Sequence, residues 1–180
     1  MAAKKKKIMG SRDIERALNR IALQILERNP SVEHLVLVGI YTGGVYLAER
    51  LQNIIQEREG LRLPAGSLDI TLYRDDWSMV AQNPIVKKTD IQFPLENKVL
   101  VLVDDVLFTG RTVRAAMDAI MDFGRPGCIQ LAVLVDRGGR ELPIQPDFTG
   151  MKAKIELDEH IHVLLREHSG QDEVQLEKHP

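Results

Sequence analysis

"VLVLVDDVLFTGRTVRAAM", residues 99–117, decides the reading of this chain. An apolar run reaches two adjacent acids, Asp104 and Asp105. Four residues further come Thr109, Gly110, Arg111 and Thr112, and then a helical pattern begins. The apolar run reads as a buried strand and the segment after Gly110 as an amphipathic helix. A helix start presents free N–H groups and the positive end of its dipole, which suits an anion such as phosphate. Gly110 lets the backbone come close, and Thr109 and Thr112 add hydroxyl donors. The acids would repel that phosphate, so they must face another part of the ligand. A sugar diol is one answer, since ionised carboxylates are strong acceptors. A divalent cation on a polyphosphate is another.

The same alternation runs through the chain. Ile14, Ala17, Leu18, Ile21, Ala22 and Ile25 repeat at helical spacing, with Ser11 or Asp13 as cap and Asn29-Pro30 as stop. "HLVLVGI" (34–40) reads as a strand, Thr42-Gly43-Gly44 as a turn, and Val45 to Ile55 as a second helix ending near Gly60. "LDITLY" (68–73) alternates like a strand. "CIQLAVLVD" (128–136) is a further buried strand, and "KAKIELDE" and "IHVLLRE" are weaker ones. Residues 74–95 show no sustained period, and a stretch of that length between strands reads as a lid. Together these give an α/β fold: a doubly wound, mostly parallel sheet with flanking helices, in a single domain over residues 1–180. Ligands in such sheets bind at the carboxyl ends of strands.

Composition narrows the class. With 180 residues, 44% hydrophobic and 28% charged, the chain has the make-up of a globular domain. The formal charge of −2 means that any nucleic acid must meet a local basic patch. One cysteine, Cys128, excludes a disulfide framework and points to a reducing cytoplasm. No apolar run approaches the ~18 residues of a membrane span. Lys4 to Lys7 read as part of a disordered basic tail over residues 1–10. His160 and His162 alternate, but solvated edge positions explain them better than a metal site does. Trp77 lies in the lid.

A nucleotide-binding P-loop needs Lys after the glycine of the turn, and Gly110 is followed by Arg111. Gly39, Gly43 and Gly44 do not have dinucleotide-fingerprint spacing. A receiver domain would want a Lys at the end of a late strand, where this chain has Asp136-Arg137.

"VLVDDVLFTGRTV" (101–113) resembles the phosphoribosyl-pyrophosphate (PRPP) motif of type I phosphoribosyltransferases. "DITLYRDD" (69–76) and "GRPGCIQLAVLVDRGGRELPI" (124–144) resemble the bifunctional pyrimidine operon attenuator and uracil phosphoribosyltransferase, or PyrR, family. The resemblance runs from about Asp13 to Pro146. It implies the parallel sheet plus a small hood built from the chain ends. It implies Mg²⁺, held mainly by PRPP with Asp104 or Asp105 in reach, and conversion of uracil and PRPP to UMP and pyrophosphate. It also implies UMP-dependent binding of a pyrimidine-operon leader RNA, and a homodimer or homotetramer.

Carried over, Asp104 and Asp105 take the ribose diol as catalytic residues. Val106, Leu107, Phe108, Thr109, Gly110, Arg111 and Thr112 take the 5-phosphate. Tyr41, Thr42 and Gly43 form the pyrophosphate loop, Arg74 opens the lid, and Arg137 lies beside the base. Arg20, Arg140 and Lys152 are the RNA candidates. Two departures stand out: many members carry Lys-Thr-Arg-Gly where this chain has Tyr41-Thr42-Gly43-Gly44, and Gly-His-Arg where it has Gly138-Gly139-Arg140.

Overall fold

The computed structural model describes residues 4–75, 87–156 and 158–178. Five strands form one parallel sheet: β2 (Leu35–Ile40), β3 (Ala65–Leu68), β4 (Val99–Leu107), β5 (Cys128–Asp136) and β6 (Phe148–Lys152), in the spatial order β3-β2-β4-β5-β6. Every residue of β2 is buried. Alternate side chains serve opposite faces. Leu35, Leu37, Val101 and Val103 join α1 (Ser11–Arg28) and α2 (Gly43–Glu59) on one side. Val36, Val38, Leu100 and Leu102 join α3 (Arg111–Met121) and Leu95 on the other. The doubly wound reading therefore holds, because period-two strands buried on both faces need helices on both.

In chain order the sheet strands run 2-1-3-4-5. Its winding reverses between β2 and β4, and a crevice opens at their carboxyl ends. β4 pairs with β2 only as far as Val103, whereas its pairing with β5 continues to Leu107. Asp104 and Asp105 are thus inside the strand, not at its end, on the stretch that has lost its β2 neighbour.

A second sheet of three antiparallel strands stands beside the first: β1 (Lys4–Met9), β8 (Glu173–Lys178) and β7 (Glu159–Leu164), in the order β1-β8-β7. This is the hood, built from the two ends of the chain. Against the expectation of a disordered tail over residues 1–10, Lys4–Met9 form a strand, and residues 1–3 lie outside the described residues. The lysines of β1 cross from strand to strand onto acids of β8, with Lys7 Nζ 2.9 Å from a Glu173 carboxylate oxygen, and Met9 is buried in the core beside Val174. A short helix, α4 (Arg166–Ser169), links β7 to β8. Arg50 of α2 ties the hood to the main body through paired contacts to Glu167 (2.6 Å) and Asp172 (2.6 Å).

Other local expectations shift. "LDITLY" is not one strand: β3 stops at Leu68, and Thr71–Tyr73 is a single 3₁₀ turn. Asp69 ends the strand by accepting the Thr71 N–H at 2.8 Å and the Thr71 hydroxyl at 2.5 Å, a local bond that competes with the ladder. "KAKIELDE" forms no strand beyond Lys152. Gly10, rather than Ser11 or Asp13, caps α1, its N–H donating to Asp13 at 2.9 Å. Among the described residues no helix is long and apolar enough to cross a membrane. Trp77, His179 and residues 76–86 of the expected lid lie outside the described residues.

The Asn29 stop of α1 is also a tether. Its buried amide exchanges two 2.9 Å hydrogen bonds with the buried amide of Gln130 in β5. Gln130→Leu strands the Asn29 carbonyl oxygen in an apolar setting and is expected to cost about 1–3 kcal/mol in a urea unfolding titration. A change within 0.5 kcal/mol would show that the pair adds nothing beyond its volume.

Candidate active site

Two turns meet at the crevice. The first joins β2 to α2 through Tyr41 and Thr42, across a cis peptide, into Gly43 and Gly44. These glycines are set by the space available. A Cβ on Gly43 would stand 2.8 Å from the Asp105 carboxyl carbon, and one on Gly44 would stand 3.1 Å from the Asp104 Cα. Gly39 is as tight, since its Cβ would meet the Gly44 carbonyl at 2.5 Å. Only bare backbone lets the first turn lie against the acid-bearing edge of β4.

The second turn, Phe108 to Gly110, delivers β4 into α3. Gly110 adopts φ +94°, which a side chain would strain. The Thr109 carbonyl accepts N–H bonds from Glu141 (3.0 Å) and Leu142 (3.1 Å), so the loop after β5 braces the turn. Arg140 completes the brace. Its guanidinium donates to the Phe108 carbonyl (3.0 Å), the Ile144 carbonyl (2.8 Å) and Asp136 (2.7 Å). Arg140, expected as an RNA contact, is spent on three internal acceptors, and these hold the Phe108–Gly110 turn against the loop after β5.

Asp104 is buried and Asp105 half-buried. Each carboxylate accepts the next backbone N–H in the chain, Asp104 from Asp105 (2.9 Å) and Asp105 from Val106 (2.8 Å). These bonds favour the charged forms, but burial outweighs them. It pushes the Asp104 carboxyl well above its ordinary range, with repulsion from Asp105 adding to the effect, and it raises Asp105 too. The crevice therefore holds an acid pair that gains from meeting a donor or a cation.

Arg74, Asp75, Thr109, Arg111 and Thr112 line a cavity of about 180 Å³ at the start of α3. The Arg111 guanidinium is clasped by Asp75 (2.6 Å) on one side and Glu141 (2.6 Å) on the other. Arg137 lies over the Phe108 ring at 3.8 Å, at the mouth of the crevice. The expected residues 41–43, 74, 104–112 and 137 thus converge at the carboxyl end of the sheet.

The RNA candidates lie elsewhere. Arg20 sits on α1 with its guanidinium donating to the Gly150 carbonyl of β6, and Lys152 is exposed at the end of the same strand. Arg12, Arg16 and Arg20 line a groove with Glu15, Asn19 and Leu23. His162 reaches Glu177 at 2.8 Å across the hood, and among the described residues no cluster of three or more His, Cys, Asp or Glu is placed to hold a metal.

Sequence reading missed two residues. Asp69 anchors the 3₁₀ turn that leads from β3 to residue 74, and Lys87 stands over the first turn, its Nζ 2.7 Å from the Thr42 hydroxyl. The only signal was a lysine pair, Lys87-Lys88, in a segment with no periodicity.

A parallel sheet with an acid pair and a phosphate-sized helix start at its winding reversal defines a type I phosphoribosyltransferase. The phosphoribosyl transferase domain family model matches residues 6–168. A hypoxanthine phosphoribosyltransferase from Staphylococcus aureus superposes with a TM-score of 0.70 over 97% of this chain and 93% of that one, at 19% identity, a likeness of fold. The sequence relatives are closer. A bifunctional protein PyrR from Geobacter sulfurreducens is 58% identical over 171 residues, 95% of this chain and 97% of the relative. One from Deinococcus radiodurans is 53% identical over 176 residues, 98% and 96% respectively. The chain belongs to the bifunctional PyrR family.

The acid pair makes a pH prediction. An unfolded Asp titrates near ~3.9. The folded chain holds the Asp104 proton more tightly, so without ligand or metal its stability falls as pH rises from about 4 toward the raised native value. Asp104→Asn is expected to flatten this slope and to melt above the parent at pH 8. Thermal melts in chelator at pH 5 and pH 8 check it, and a variant that melts lower at both would contradict the cost assigned to the buried charge.

Proposed function

We propose that this chain is a uracil phosphoribosyltransferase that converts uracil and PRPP to UMP and pyrophosphate, and that it also regulates a pyrimidine operon through leader RNA. Family membership supports both halves. For the enzyme, the supporting observation is the meeting of the acid pair with two small-residue turns at one crevice.

The bond from the anomeric carbon to pyrophosphate breaks with positive charge building on the ribose. Asp104 and Asp105 take the ribose hydroxyls and, when ionised, face that charge. The first N–H groups of α3, with the Thr109 and Thr112 hydroxyls, hold the 5-phosphate. Tyr41 to Gly43 border the leaving group. Arg137 and the Phe108 ring border the base. Two carboxylates and no complete ligand cluster fit a hard cation that arrives on the polyphosphate and keeps part of its water. Asp104 or Asp105 would hold Mg²⁺, which neutralises charge on the leaving pyrophosphate. Closure of the segment that begins at Arg74 keeps water from competing with uracil. A reducing cytoplasm suits the lone Cys128.

The direct test is UMP formation from PRPP, Mg²⁺ and uracil, with orotate and purine bases run alongside. Uracil is expected to react fastest. Asp104→Asn combined with Asp105→Asn is expected to lower kcat/KM by several decades while the chain stays folded. Transfer to a purine in preference to uracil would overturn the assignment of the base.

The regulatory half rests on the α1 face, where Arg12, Arg16 and Arg20 recur every four residues along a groove. Leu23 adds no polar contact there, the formal charge is −2 and Arg140 is committed inside. Assembly of like subunits would multiply the patch. Salt-sensitive RNA binding with modest sequence preference is expected, with a log–log salt slope near −3 to −4 for about four phosphates. A titration of folded leader and scrambled RNA, with and without UMP at two salt concentrations, checks it. A slope near zero would remove RNA from this face.

A further inference from the structure

The turn that borders the leaving group has no cation of its own. No lysine or arginine occurs between residues 35 and 49, and Asp104 and Asp105 lie directly behind Gly43 and Gly44. A departing pyrophosphate would meet a wall with net negative charge. A cation reaches this wall from another part of the chain. Lys87 places its ammonium 2.7 Å from the Thr42 hydroxyl and 4.8 Å from the centre of the Tyr41 ring. Its side chain is exposed, so the ammonium is hydrated and ready to exchange a neutral hydroxyl for an anion.

The position is built. The Lys87 N–H donates to Asp69, the same buried carboxylate that ends β3. Two residues on, the Thr89 hydroxyl accepts the Asp69 N–H at 3.0 Å, and Asp90 exchanges backbone bonds with Ser67 at 2.8 and 2.9 Å. Residues 87–90 are thus fastened along β3, next to β2 in the sheet, and this fastening carries Lys87 over the β2–α2 turn.

Resting on the reading of the crevice as a PRPP site, we infer that Lys87 is a pyrophosphate-binding residue, which supplies to the Tyr41–Gly44 turn the positive charge that the turn itself lacks. Thr42 accepts a hydrogen bond from the ammonium, and the pyrophosphate of PRPP takes it over on binding. UMP has no pyrophosphate and would not engage it.

The ligands separate the roles. Calorimetric titrations of PRPP, inorganic pyrophosphate and UMP, each with Mg²⁺ and without uracil, are run on the full chain and on Lys87→Ala, Lys87→Arg and Lys88→Ala. Lys87→Ala is expected to weaken PRPP and pyrophosphate by about tenfold to a hundredfold, the range of a charged hydrogen bond, and to leave UMP within twofold. Lys87→Arg keeps most of the affinity, and the neighbouring Lys88→Ala behaves like the parent. PRPP affinity unchanged in Lys87→Ala overturns the inference, with the PRPP site itself intact. An equal loss for UMP also overturns it, since Lys87 would then serve the shape of the whole crevice. A parent chain that binds neither PRPP nor UMP overturns the inference together with the reading beneath it.

Discussion

Everything at the crevice depends on how closely one turn can approach one strand edge. β4 outruns β2, and the exposed flank it leaves at Asp104 and Asp105 is covered by Gly43 and Gly44. Any side chain at those two positions would meet a carboxylate or strand backbone. This single steric condition sets the distance between the acid pair and the β2–α2 turn. It also buries the acids, which raises their proton affinity and makes them responsive to what enters. Fold and chemistry thus share one constraint, and relaxing it would damage both.

The sheet and its major helices were legible because their patterns are local. Leu35–Ile40, Val99–Leu107 and Cys128–Asp136 are continuous apolar runs, and α1 shows its buried stripe without interruption. The acid pair and the threonine-glycine turn could be read because their spacing suggests a ligand, whereas Tyr41 to Gly43 were assigned only through the resemblance. Where the outcome depended on distant partners, the reading failed. Lys4–Met9 looks like a solvated charge run until β8 supplies Glu173 and Glu177 opposite. "LDITLY" alternates like a strand, yet one aspartate that bonds its own neighbour stops it.

Charged residues were the hardest to assign, because a sequence gives their sign and not their partner. Arg140 and Arg20 were both expected at RNA. Arg140 is spent on three acceptors inside the protein, whereas Arg20 remains on an exposed helix face with other arginines. Lys87 was assigned nothing, although its ammonium bonds the Thr42 hydroxyl of the β2–α2 turn. Burial and the number of internal acceptors separate these cases, and neither is a property of the local sequence.

The loop after β5 is held in two ways that respond differently to the medium. Arg140 anchors it from within, where added salt has little access. Arg111 holds it from outside, through exposed pairs with Glu141 and, across the cavity, with Asp75. Exposed pairs weaken as the screening length shrinks, from about 8 Å at physiological ionic strength to about 3 Å at 1 M. The floor of the crevice therefore keeps its shape in brine while its rim loosens. How wide the entrance stands becomes a matter of ionic strength, set by a clasp that bridges the two loops on either side of it.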